Sequence, residues 1–174
     1  IFKEKLKNKY IISRVVFKLT KKSHFLKTNY KPLKELIKIK NIPNPTIQDI
    51  SNLVKEIRSS KLPDPKIIGN CGSFFKNPII SKNKLEKISS IDKLIPFYKL
   101  SDEKFKIPAA WLIEKCGMKG RIEGQTGTHK EHALVIINLG AATGTEIYNF
   151  SQKIKKVVLK KFNILLEEEV NIID

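Results

Sequence analysis

The chain has 174 residues, 34 of them basic and 17 acidic, giving a net charge of +17, and 41% of them are hydrophobic. That apolar share supports a packed core and excludes wholesale disorder, and no apolar run reaches the ~18 residues that would read as a membrane-spanning helix. Only Arg14, Arg58 and Arg121 are arginines, so the charge is lysine charge, and it lacks the guanidinium forks that bidentate recognition of guanine or phosphate favours. Residues 10–19 (Tyr-Ile-Ile-Ser-Arg-Val-Val-Phe-Lys-Leu) predict a strand, with Val15, Phe17 and Leu19 alternating against Arg14, Val16 and Lys18. Residues 20–45 read as lysine-rich and irregular, closed by Pro43 and Pro45. A helix is predicted from Thr46, which can cap it with Asp49 three residues on, and Ile47, Ile50, Val54 and Ile57 form its apolar stripe. Pro63 and Pro65 cannot continue that helix and predict a domain boundary, with residues 1–62 on one side and 63–174 on the other.

Beyond the boundary, Pro108 opens a predicted helix through Trp111, Leu112 and Ile113 that ends near Gly117. Residues 133–138 predict a buried strand. Gly140-Ala141-Ala142-Thr143 predicts a turn and cap, followed by a longer helix with Ile147, Phe150, Ile154, Val157 and Phe162 on one face. Residues 164–173 predict a terminal strand. Strands interspersed with helices make this an α+β chain.

Cys71 and Cys116 lie far apart without C-x-x-C spacing, which predicts reduced thiols in a cytoplasmic protein. The first ten residues lack the apolar core of a secretory signal, and the opening Ile1 in place of methionine predicts further sequence upstream. Residues 1–61 hold 16 of the basic and 4 of the acidic side chains. A solvated lysine surface with no nucleic-acid partner is the favoured expectation. A lysine-rich module that binds nucleotide or nucleic acid without catalysis is the alternative.

Gly69-Asn70-Cys71-Gly72-Ser73-Phe74-Phe75-Lys76-Asn77-Pro78 places a serine hydroxyl after a glycine turn and before two aromatic anchors. It reads either as a turn over core phenylalanines or as a hydroxyl held rigidly at a reaction centre. A free serine is a poor acid or nucleophile without neighbours to tune it, and no G-x-S-x-G elbow surrounds it. Glu167, Glu168 and Glu169 read either as a solvated acidic run or as a strand with Glu168 facing away from the other two. A carboxylate buried there would have a raised pKa and could stay protonated as a donor. His129 and His132 have no third ligand near by, so no metal is expected. Lys119-Gly120 and Thr126-Gly127-Thr128-His129 form a polar loop of the kind that can bind phosphate. Neither a P-loop nor a G-x-G-x-x-G fingerprint is present.

Four motifs in order, Ser60–Ser81, Ala109–Gly120, His132–Asn138 and Lys161–Val170, closely resemble the C-terminal half of the UDP-N-acetylenolpyruvoylglucosamine reductases. These are flavoenzymes of peptidoglycan precursor synthesis. The resemblance implies the end of an FAD-binding fold (residues 1–62) followed by an α+β substrate domain (63–174). Ile1-Phe2-Lys3 looks like the tail of the family's Y-R-x-S-x-F-K segment. The flavin loops and an active-site arginine would then lie upstream, and these residues alone would be inactive; an inactive remnant of the reductase is a further alternative. It implies a monomer that passes hydride from NADPH through FAD to the UDP-sugar. By the same resemblance, Ser73 protonates the carbon beside the substrate carboxylate, and Glu169 steadies the intermediate. Tyr30, Lys61, Asn77, Lys119 and His132 match positions lining the UDP-sugar site. The chain departs from the family at Glu168, where proline is usual, and at Asn171, where arginine is common.

Overall fold

The computed structural model describes residues 2, 5, 6, 9–22 and 24–173, and only the backbone of Lys61. Two compact units emerge, Ile1–Val54 and Lys55–Asp174. The first contains α1 (Lys31–Ile39) and the start of α2 (Ile47–Lys61).

Two expectations fail in the first unit. Residues 10–19 form no strand with the described residues, and their apolar side chains are exposed (Ile11 94%, Phe17 75%). Alternation proposes a strand, but only a partner's ladder bonds make one. The stretch 20–45 is not wholly irregular, because α1 lies within it. Leu33, Leu36 and Ile37 give that helix an apolar side at i, i+3 and i+4, and Pro32 sits in the first turn, where its missing N–H costs nothing. The cap of α2 forms as expected: the Asp49 N–H donates to the Thr46 hydroxyl (3.2 Å), while Asp49 accepts from the Thr46 N–H (2.8 Å). Leu53 is its buried residue, and Ile47, expected in the stripe, is half exposed.

The second unit confirms α+β. A four-stranded antiparallel sheet runs in the order β1 (Gly69–Ser73), β7 (Val135–Asn138), β6 (Thr126–Thr128), β5 (Ile122–Glu123). A three-stranded antiparallel sheet runs β2 (Ile79–Ser81), β4 (Lys104–Lys106), β3 (Tyr98–Lys99). The helices are α3 (Lys82–Ile91), α4 (Ala109–Lys115) and α5 (Gly144–Phe162). One core gathers Phe75, Ile107, Leu112, Ile113, Ile154, Val158 and Leu166. In α5, Phe150, Ile154, Val158 and Phe162 recur every fourth residue and are all buried. That helix starts in a full capping box, with the Thr143 hydroxyl accepting from the Glu146 N–H (3.2 Å) and Glu146 accepting from the Thr143 N–H (2.8 Å). It ends at Asn163 in the left-handed conformation (φ 51°).

Residues 164–173 do not form the regular strand expected. A single antiparallel bridge, Phe75 to Glu168, ties the segment to the stretch after β1. Two backbone bonds flank it: Lys76 N–H to Glu167 C=O (2.9 Å) and Glu169 N–H to Phe74 C=O (2.8 Å).

Candidate functional site

The serine sits at a built irregularity. β1 pairs with β7 through Gly69–Asn138 and Asn70–Ile137, then slips so that Ser73 faces Val135. The extra residue is a β-bulge. Gly72 absorbs it at φ 73°, a conformation that costs glycine no Cβ clash. The Asn70 side chain braces the turn: its Oδ1 accepts from the Gly72 N–H (3.0 Å), and its Nδ2 donates to the Ile68 carbonyl (2.9 Å). Past the bulge, Phe74 and Phe75 are buried with their rings 5.1 Å apart, and the Phe74 N–H bonds the Leu134 carbonyl (2.9 Å). Half-buried Ser73 is therefore held between a braced turn and two core anchors. The motif is a turn over core phenylalanines, with Ser73 on the bulge just before them.

The returning C-terminal segment places Glu169 at the same junction, bonded through its N–H to the residue next to Ser73. Ile164 and Leu166 point into the core while Leu165 and Glu167 are exposed. By this alternation Glu168 faces inward, away from Glu167 and Glu169, the opposition expected of the second reading. The expectation of a buried, protonated carboxylate is corrected. Glu168 is the half-buried one, and its Oε1 accepts from Lys155 Nζ (2.8 Å) and Gln152 Nε2 (2.9 Å) on α5. Burial pushes its carboxyl up, but that ammonium and amide outweigh burial and hold it below the usual glutamate value. Glu169 is exposed.

The remaining candidates are distributed. Asn77 Oδ1 accepts from the Ala109 N–H (2.8 Å), supplying the α4 cap that Pro108 cannot, so one end of its amide is committed to the fold. Lys119 Nζ pairs with Glu114 (3.2 Å). His132 is half-buried in the tight loop before β7, where its carbonyl accepts from the Val135 N–H (3.0 Å). A Cβ on Gly120 would lie 3.5 Å from Lys130 Cα, so the Lys119 turn and the His132 loop are neighbours. Tyr30 lies at the N-terminus of α1 in the other unit and is exposed. The Lys61 side chain lies outside the described residues, as do Ile1 and Lys3 of the expected Y-R-x-S-x-F-K tail.

The two threonine hydroxyls of the polar loop are engaged with the fold. The Thr128 hydroxyl donates to the Met118 carbonyl and the Thr126 hydroxyl to the Ile137 carbonyl (3.1 Å). A Cβ on Gly127 would come within 2.5 Å of the Arg121 carbonyl, so this glycine is needed for close packing. The exposed start of α5 already holds the Glu146 carboxylate. The Thr126–Thr128 loop and the start of α5 thus commit these groups to the fold rather than to a flavin diphosphate. Among the described residues, no three His, Cys, Asp or Glu side chains gather as a metal site, and no helix is long and apolar enough to cross a membrane.

A groove of about 720 Å³ borders the junction, lined by Cys71, Phe74, Tyr148, Val170 and Asn171 among others. Burial pushes the Cys71 thiol up, away from the reactive thiolate. Sequence reasoning missed Asn70 as the brace of the bulge and Lys155 and Gln152 as the partners of Glu168. An asparagine two residues before a glycine is a turn signal that could have found the first. Nothing local marks the other two.

The C-terminal domain of UDP-N-acetylenolpyruvoylglucosamine reductase matches residues 64–173. Proteins carrying that name are 47% identical in Flavobacterium johnsoniae and 43% in Amoebophilus asiaticus, each over 99% of this chain and 51% of the relative. The Pseudomonas fluorescens protein is 40% identical over 98% of this chain and 50% of its own length. The chain thus spans about half the length of the curated relatives it matches. Domain match and near-complete coverage by these relatives agree: the chain belongs to the UDP-N-acetylenolpyruvoylglucosamine reductase family, as its C-terminal part.

Proposed function

We propose that this chain is the substrate-binding part of an enzyme that reduces UDP-N-acetylenolpyruvoylglucosamine to UDP-N-acetylmuramate for peptidoglycan synthesis, in the cytoplasm and as a monomer. In this reading residues 63–174 are the substrate domain, and 1–62 end an FAD-binding fold. A flavin reduced by NADPH supplies the hydride and is held by protein outside the described residues. Hydride addition to the terminal carbon of the enolpyruvyl double bond puts negative charge on the carbon beside the carboxylate. Ser73 gives that carbon its proton, and Glu169, with an arginine from outside these residues, steadies the charge. Lys61 and Lys119 suit the diphosphate, and Asn77 and His132 add further UDP-sugar contacts. The observation that carries the reading is the junction itself: a serine locked on a braced bulge, one residue from the backbone bond that seats Glu169.

Expressed as these 174 residues, the protein is expected to purify without FAD. The longest polypeptide its gene encodes is expected to bind FAD and to oxidise NADPH when the enolpyruvyl UDP-sugar is added. A flavin-loaded polypeptide whose NADPH consumption ignores that substrate contradicts the proposal.

A further inference from the structure

We infer that Glu168 is a positioning residue whose clamp on α5 holds Glu169 against the Ser73 strand. The inference rests on the proposed function for its catalytic consequence, and on the following contacts for its geometry. The C-terminal segment belongs to neither sheet and is joined to the stretch after β1 by one bridge and two backbone bonds. Such a short pairing leaves its end free to fray. The exposed pair between Glu167 and Lys76 (3.0 Å) adds little lateral hold. The Glu168 pair with Lys155 is different in kind, because its side chains are only 21% and 17% exposed and Gln152 makes a second bond to the same oxygen. Truncating one partner of such a shielded pair is costly, because the other is left without its counter-charge.

The clamp reaches Glu169 through strand alternation. Leu166 and Glu168 are fixed on the inner side, one by the core and one by α5, so the side chain between Glu168 and Val170 is directed outward at the junction. α5 is a firm reference, being capped at its start and buried along one face.

The same geometry shows how the clamp can be replaced. The two ladder bonds use the Glu169 N–H and the Glu167 C=O, and the Glu168 N–H takes part in neither. Proline at 168 would sacrifice no ladder bond and would stiffen the segment through its fixed φ. Glu168→Pro therefore offers a covalent substitute for the ionic hold.

The test uses Lys155→Met, Glu168→Pro and the double variant in the longest polypeptide the gene encodes, loaded with FAD. Lys155→Met is expected to lower kcat for substrate reduction about tenfold with little change in KM, a misplacement effect. It should also speed amide hydrogen exchange at Glu169 severalfold. In the Glu168→Pro background the same lysine change should alter neither quantity. Equal losses in both backgrounds, or unchanged kcat and exchange in Lys155→Met, would overturn the inference. The two readings fail separately. An unmutated protein that makes no product, yet shows the exchange pattern, sinks the reaction and keeps the clamp; normal turnover without the exchange pattern does the reverse.

Discussion

Replacing Ser73 with alanine in the FAD-loaded protein is expected to slow reduction of the enolpyruvyl substrate by roughly 10²–10⁴-fold, the range for loss of a positioned proton donor, or about 3–5 kcal/mol of barrier. The size follows from geometry. A serine hydroxyl has no special acidity, so its value lies in being aimed at one face of one carbon. The Asn70 brace, the Gly72 bulge and the two buried phenylalanines provide that aim. None of them depends on the hydroxyl, so Ser73→Ala should keep the fold, and reduction of FAD by NADPH should proceed at its normal rate. Rapid mixing of the NADPH-reduced protein with substrate separates the two steps. Substrate reduction at the unmutated rate would remove Ser73 from the chemistry and leave the motif as a turn over the core.

The second large effect is expected at Glu169. Its loss to alanine should cost about 10²–10³-fold in kcat, as for other groups that stabilise developing negative charge. An ionised carboxylate alone would repel that charge, so the side chain must act as a hydrogen-bond donor or together with the arginine. Glu169→Gln, which keeps a donor amide in place, should therefore retain more activity than Glu169→Ala. Steady-state kinetics of the two variants decide this. Equal and small effects would show that the exposed carboxylate at this junction is not the group that meets the intermediate.

Much of the fold was legible where the signal is local. The Gly140–Thr143 turn and cap marked the start of α5, and Pro108 with Gly117 marked the ends of α4, because caps and turns are decided within a few residues. The three-stranded sheet was not legible. Its strands have two or three residues, and Lys104-Phe105-Lys106 is too short to show a period. α1 was overlooked although Leu33, Leu36 and Ile37 carried its stripe, because lysines dominate the stretch and Pro32 reads as a breaker before it reads as a first-turn residue. Residues 10–19 show the opposite error, a convincing alternation without a pairing partner among the described residues.

The site divides in the same way. Gly72 and Ser73 stood out locally, but their meeting with Glu169 depends on pairing between distant segments, which no local pattern reports. The family resemblance brought the two together on paper, and the Phe74–Glu169 backbone bond is the physical link between them. Glu168 sharpens the point. In the sequence it was a departure from the family's proline. In the structure it is tied to Lys155 and Gln152, partners that could not be foreseen from a helix face.

The most direct test of the central claim is to run the reaction in D2O. The longest polypeptide the gene encodes, loaded with FAD, is given NADPH and UDP-N-acetylenolpyruvoylglucosamine, and the product is examined by NMR. Proton delivery from an exchangeable serine hydroxyl predicts UDP-N-acetylmuramate carrying deuterium at the carbon beside the carboxylate. A folded, flavin-loaded protein that leaves the enolpyruvyl double bond intact would contradict it.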